Sequence, residues 1–446
     1  MSFFVLWYNL NNMKKIVFGL LFIFFTQLTS FAIEDVKKVF LQEAIDAAIE
    51  NNIDLEAAKL NIAIAKHNIK SANRLQNPNL DYFQFFGAAG WSEPRQFGIN
   101  QTFEIAKRGA RKSLAKSNLK LTQKNVDYTK FDLKMDVREA YVNLVAAKSV
   151  QETLKQQQNL QEELLGIVKY RVKKGQVPEI DLIQAEIALN QMITQVNTAR
   201  ANVKTALAHF NKVINNPEKI IYDSKDNIFD EENNFIEMLT PAPTLKFPAI
   251  SEIMDEALKN RYDLQIAKQE IDVAEKNLKL IARQRVPDVA LLGGFAFQGA
   301  QHTLDNRFNG GAYVGASIVN IPLLYNYGPE IKNAAIKLQQ AELNYKSIKN
   351  KAEKDVESAY EKFLTAAENL NDYESKILTS SDELIDISIK AYETGKSDLT
   401  ALIVMKQSYK SILVGHTYAL AEYYNSWTNF LREVNDENFK LQISNI

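Results

Sequence analysis

The sequence predicts a mainly α-helical fold with a small β part, in which one structural plan is written twice. Three observations predict it. Seven residues, Glu43, Ala48, Asn51, Asp54, Leu55, Ala58 and Pro78, return 209 positions later as Glu252, Ala257, Asn260, Asp263, Leu264, Ala267 and Pro287. Two long stretches, 110–165 and 330–394, contain neither glycine nor proline. Between the helical stretches lie segments of about ten residues in which apolar side chains alternate with period two.

The N-terminus reads as an export signal. Lys14 and Lys15 precede the apolar run 16–25, and Ser30 and Ala32 follow in the spacing of a cleavage site. The run is too short to span a bilayer as a helix, which takes about 20 residues. Residues 1–32 are therefore expected to be a signal peptide, with 1–12 an upstream extension and Met13 the better start. A retained anchor is the competing reading. Losing this segment removes two lysines and no acids, so the mature chain is two units more negative than the -1 of the whole.

Composition excludes several classes. With 53 basic and 54 acidic residues and no basic block, nothing points to a nucleic-acid partner. The absence of cysteine rules out disulfides, thiol nucleophiles and a lipidated cysteine. No later apolar run approaches a membrane helix, so membrane entry would require a closed β-barrel.

Each repeat begins with a short helix (about 41–52 and 250–260) and a longer one (54–76 and 263–285), which Pro78 or Pro287 is expected to end. Strand pairs are expected at about 79–104 and 287–322. In the first, Phe97, Ile99, Gln101 and Phe103 alternate with Gly98, Asn100, Thr102 and Glu104, beside the aromatic-rich partner 80–86. In the second, Val289, Leu291, Phe295 and Phe297 share a face, and Val314, Ala316 and Ile318 alternate with Tyr313, Gly315 and Ser317. The stretches 87–96 and 299–311 read as turns. A soluble hairpin packed on helices would show the same period. Each pair is followed by a long helical hairpin, 106–213 or 329–432.

The rods are rich in Ala, Leu, Lys, Glu and Gln, all good helix formers. At 1.5 Å per residue such a rod measures about 100 Å. Val137, Ala140, Leu144 and Ala147, then Val356, Tyr360, Phe363, Ala367 and Leu370, mark a coiled-coil seam. Within the rods, 136–141 (DVREAY) returns as 355–360 (DVESAY), offset 219, and Gly175 returns as Gly395, offset 220. One chain offers four strands, which cannot close a barrel. Three copies would supply twelve, a closed barrel.

These features together resemble the TolC-type outer membrane efflux family. The duplicated plan carries the resemblance, with residues 101–109 (QTFEIAKRG) as a strand-to-helix junction marked by Lys107, Arg108 and Gly109, and by Gly328 in the second repeat. The Lys-Arg-Gly-Ala-Arg portion leans towards the heavy-metal efflux branch. Residues 175–182 (GQVPEIDL) and 391–395 (AYETG) resemble the two hairpin tips, with Gly175, Val177, Gly395 and Leu399 as adaptor-contact positions. The resemblance implies a homotrimer whose β-barrel sits in outer membrane lipid and whose α-barrel hangs into the periplasm. Residues 214–249 would wrap its waist, and 433–446 would join them. A periplasmic adaptor and an inner-membrane transporter are the implied partners. Asp181 and Tyr392 match two positions that latch the tip shut in the family. A carboxylate accepting a phenol hydrogen bond is a tie of about 1.5–3 kcal/mol. Where family members carry an acidic ring beyond the second tip glycine, this chain has Ala401 and Val404, and Ser397 replaces an arginine, so weak block by multivalent cations is expected.

No enzyme chemistry or cofactor is expected. His67, His209, His302 and His416 are scattered without metal-ligand spacing, and Glu162-Glu163 and Glu231-Glu232 read as solvated acids. A periplasmic adaptor would carry one hairpin with a lipoyl-like module. An envelope coiled coil would have no use for alternating strands.

Overall fold

A computed structural model describes residues 36–84, 86, 95–218, 220–226, 248–298, 309–437 and 439. The expected signal peptide, most of the linker 214–249, most of both strand loops and the last residues of the tail lie outside this set.

The first repeat comprises β1 (Val36–Val39), α1 (Leu41–Asn51), α2 (Ile53–Ala72), β2 (Asn79–Gln84), β3 (Arg95–Phe103), α3 (Lys107–Lys173) and α4 (Glu179–Ile214). A short strand, β4 (Ile221–Ser224), follows. The second comprises α5 (Ile250–Lys259), α6 (Tyr262–Ala282), β5 (Asp288–Gln298), β6 (Asn309–Val319), α7 (Gly328–Asp372), α8 (Leu378–Glu393) and α9 (Leu399–Val434). The strands run further into the loops than expected: Arg95 and Asn309 already belong to the ladder.

The core lies at the waist. α1 buries Leu41, Ala44, Ile45 and Ala48, the i, i+3, i+4, i+7 stripe of an amphipathic helix, against α3. All five seam residues expected in α7 are buried, as are Val137, Ala140 and Leu144 in α3, whereas Ala147 is half-buried and Ala146 takes the inward position. Phe363 stacks on Tyr423 with centroids 5.5 Å apart and meets Trp427 at 4.9 Å. Rings of this size contribute about 1.5–3 kcal/mol each by burial.

The duplication reaches single hydrogen bonds. The Tyr141 hydroxyl lies 3.1 Å from the Val39 carbonyl oxygen, with Asp226 Oδ2 as its shorter acceptor at 2.5 Å, and Tyr360 donates to the Pro248 carbonyl at 2.5 Å. Donor and acceptor are repeat equivalents in both cases. Likewise Asn52 Nδ2 donates to the Val213 carbonyl, and its counterpart Arg261 donates to that of Glu433. Each bond ties the junction of short and longer helix to the end of the returning helix.

Three expectations change. α2 ends at Ala72, well before Pro78, because Arg108 Nε and Arg111 Nε donate to the Asn73 and Ala72 carbonyls, at 2.7 and 3.0 Å. Cations bonded to the last carbonyls of a helix fix its end. The second rod is not one continuous α-helix: a π turn, Tyr373–Ile377, separates α7 from α8. It absorbs the extra residue that moves the repeat offset from 219 at Tyr360 to 220 at Gly395. The linker supplies a strand, β4, which pairs in parallel with β1.

Candidate functional site

The four longer strands form one antiparallel sheet in the order β2-β3-β5-β6. Among the described residues β2 and β6 each have a neighbour on one side only. The register puts Leu80, Tyr82, Phe97, Ile99, Leu291, Phe295, Val314 and Ile318 on one face. That face is mainly apolar and open, with Gln84, Arg95 and Gln101 towards its ends: Val314 is 90% exposed and Leu80 78%. The opposite face is the more polar and glycine-rich, with Asp81, Gln96, Gly98, Asn100, Thr102, Gly294, Tyr313 and Ser317 beside Phe83 and Leu292. Tyr313 lies across Gly98 and Gly294; a Cβ on Gly98 would strike its hydroxyl, and one on Gly294 would strike the Phe97 carbonyl oxygen. Glycine here permits close backbone approach.

Below the sheet the chain turns into the rods. Lys107, in the first turn of α3, is buried against Asp288 at the head of β5, with Nζ to Oδ2 at 2.7 Å, and Asn320 Nδ2 donates to the same oxygen at 2.9 Å. The pair joins the two repeats. Arg108 caps α2, and Arg111 forks onto Glu104 at 2.7 and 3.1 Å. Gly109 is exposed, and nothing lies within 4 Å of where its Cβ would be. Gly328 opens α7, and its N–H donates to Asn326 Oδ1 at 3.1 Å.

Both hairpin tips are built alike. Gly175 and Gly395 have φ of +70° and +73°, the left-handed region that glycine enters without strain. Gln176 N–H reaches back to the Arg171 carbonyl and Gly175 N–H to that of Val172; Lys396 and Gly395 repeat this to Ala391 and Tyr392. Both are Schellman ends, which close the outgoing helix. Pro178 then leads into α4, and Asp398 caps α9 by accepting the Ala401 N–H at 2.7 Å.

A small apolar cluster locks the tips together: Leu164 and Val168 of α3, Ala185 of α4, Tyr392 of α8, and Leu399 and Leu402 of α9. Leu399 is thus turned inward and 2% exposed, so its side chain is not offered to a partner, contrary to expectation. Val177 is half-buried at the turn. Tyr392 is buried, with the Arg171 guanidinium 5.0 Å from its ring centre. Burial raises its pKa, the nearby Asp181 charge adds to this, and Arg171 opposes both. Among the described residues no hydrogen bond reaches its hydroxyl, so Asp181 and Tyr392 are neighbours without a direct tie.

A family model described as outer membrane efflux protein matches residues 44–216 and 253–413, most of the chain and both repeats. The chain belongs to that family. The CmeC outer membrane channel of Campylobacter jejuni superposes with a TM-score of 0.71 at 17% identity, covering 93% of this chain and 91% of that one. The MtrE outer membrane channel of Neisseria gonorrhoeae, in its open state, gives 0.67 at 16%, covering 89% of each. CusC gives 0.71 at 14%, covering 88% of this chain and 91% of its own. At such identities the likeness shows the fold, and it does not single out a heavy-metal branch. No curated protein matches by sequence.

Among the described residues of this outer membrane efflux protein, no helix is long and apolar enough to cross a membrane, and no cluster of potential metal ligands forms. Two features escaped the sequence. One is the buried Lys107–Asp288 pair, whose partners lie far apart in the chain. The other is a cavity of about 20 Å³ between the hairpins, lined by Gln157, Gln161, Gln191, Gln195, Lys406 and Lys410, with room for one water. Lys410 donates to Gln195 at 2.8 Å, and burial lowers the Lys406 pKa against the opposing charge of Glu163.

Proposed function

We propose that three copies assemble β2 against β6 into a twelve-stranded barrel in the outer membrane, with the rods forming a periplasmic α-barrel. The duct passively conducts substrates from an inner-membrane transporter and periplasmic adaptor to the outside, in a tripartite efflux or type I secretion system. One observation carries this: a four-stranded sheet has two open edges and an exposed apolar face. Open edges in lipid leave backbone groups unsatisfied, so a closed barrel is required. Supporting it, α2, α3, α6 and α7 pack side by side, and the outer helices carry exposed Leu60 and Ile64 on α2 and Ile336 and Leu343 on α7. Residues 1–32 serve as the export signal, and 214–249 with 433–446 gird the waist between the repeats 33–213 and 250–432.

Gly175, Val177 and Gly395 shape the surface that meets the adaptor. Asp181 and Tyr392 latch the closed tip, and the unbonded Tyr392 hydroxyl is available for that contact. The first test is the mass of the mature protein extracted from outer membranes in mild detergent. A trimer is expected; a soluble monomer would refute the barrel. Raised single-channel conductance on combining Asp181→Ala with Tyr392→Phe would support the latch, and unchanged conductance would remove it.

A further inference from the structure

The turn from sheet to rods carries the same chemistry at matching positions of both repeats. Ile105 and Leu324, 219 apart like the rods they precede, are 68% and 103% exposed. Arg74 and Arg283, 209 apart like the helices they follow, are both exposed, and neither makes an ion pair among the described residues. Leu323 stands out beside Leu324, and Tyr325 and Tyr327 meet edge to face at 5.5 Å. Arg74 is held at the level of the first turn of α3, because Arg111 donates to its carbonyl. On the other repeat Arg285 donates to the Asn326 carbonyl at 2.7 Å, just before α7.

A second copy does not account for both repeats. Leu324 follows β6, an edge strand that a neighbour could cover. Ile105 follows β3, which has β2 on one side and β5 on the other, so a copy pairing at the sheet edges does not reach it. On the barrel reading, what both positions share is the medium around the barrel. Apolar side chains beyond the strand ends and arginines just below, with tyrosines between them on the second repeat, match acyl chains, phosphates and the interfacial zone between.

We infer that this collar grips anionic phospholipid in the periplasmic leaflet of the outer membrane. Ile105, Leu323 and Leu324 enter the acyl zone, and Arg74 and Arg283 bind headgroup phosphates. The inference rests on the barrel reading above, and one experiment separates the two.

The natural chain has no cysteine, so single cysteines report cleanly. Ile105→Cys, Leu324→Cys and, on the sheet face, Val314→Cys are each labelled with a fluorophore in the full chain. The proteins are reconstituted into phosphatidylcholine–phosphatidylglycerol vesicles containing acyl-brominated lipid. All three labels are expected to be quenched. Native mass spectrometry of protein extracted from the same mixture should show phosphatidylglycerol enriched over phosphatidylcholine. Arg74→Gln with Arg283→Gln should cut that enrichment by roughly fivefold per arginine. Quenching at 314 without quenching at 105 and 324 overturns the collar and leaves the barrel intact. Quenching at 105 but not 324 is the mark of a second copy over Leu324 and also overturns it. No quenching at any position overturns the barrel itself. Enrichment unchanged in the arginine variant removes the headgroup site.

Discussion

Replacing Lys107 by methionine tests the energetics of the junction. In the native chain Lys107 and Asp288 side chains are 7% and 1% exposed, and the Asp288 Oδ2 accepts from both Lys107 and Asn320. Its Oδ1 has no partner among the described residues. Lys107→Met therefore leaves a buried carboxylate with one donor, and breaking such a pair costs about 3–5 kcal/mol. Adding Asp288→Leu removes the stranded charge. The Asn320 amide, which loses its acceptor, is exposed and turns to water, so the residual loss is under about 1 kcal/mol. The double variant should thus regain at least about 2 kcal/mol of what the single variant loses. Urea unfolding of detergent-solubilised protein, followed by circular dichroism at matched concentration, reads the difference. A Lys107→Met cost below about 1 kcal/mol, or a double variant less stable than the single one, would refute this account of the junction.

Gly294→Ala should abolish barrel assembly, because its Cβ would strike the Phe97 carbonyl oxygen; Gly109→Ala, in open space, should gain up to about 1 kcal/mol in helix stability. Yield of outer membrane trimer and urea midpoints check the pair. At the tip, Asp398 is committed to capping α9, and Ala401 and Val404 are exposed without charge. Single-channel currents should accordingly resist a trivalent cation added on the periplasmic side, and Val404→Asp should introduce block. His416 has its pKa lowered by burial, against the opposing charge of Glu374. The unfolded chain then binds the proton more tightly, so stability is full above the unfolded value of about 6.5. It declines as pH falls through the lower folded value. His416→Leu should flatten the loss between about pH 7 and pH 5 measured by thermal melts.

The fold was legible where one signal dominates. Glycine-free and proline-free stretches fixed the rods, and period two fixed which strand residues share a face, because both patterns are local. Gly175 and Gly395 were legible for the same reason: a left-handed turn between helices asks for glycine. What the sequence hid depends on residues distant in the chain. Nothing local marks Asp288 as the partner of Lys107, or β1 as the partner of β4. Leu399 looked like tip surface because it follows the turn, yet the third dimension folds it against Leu164 and Ala185. The π turn did leave a trace, the change of offset by one between Tyr360 and Gly395, which could have located it to that interval.

That turn has a consequence for how the second rod tolerates change in length. A residue deleted from an α-helix rotates everything beyond it by about 100°, so a deletion elsewhere in α7 or α8 would turn Tyr392 out of the tip cluster. The π turn already holds one residue more than a regular helix needs. Deleting Lys376 would restore ordinary winding and leave every downstream side chain on its present face, at the expense of the close fit between Tyr373 and Gly415. The second rod can therefore shorten by one residue at that place, while the first, uninterrupted from Lys107 to Lys173, has no such place.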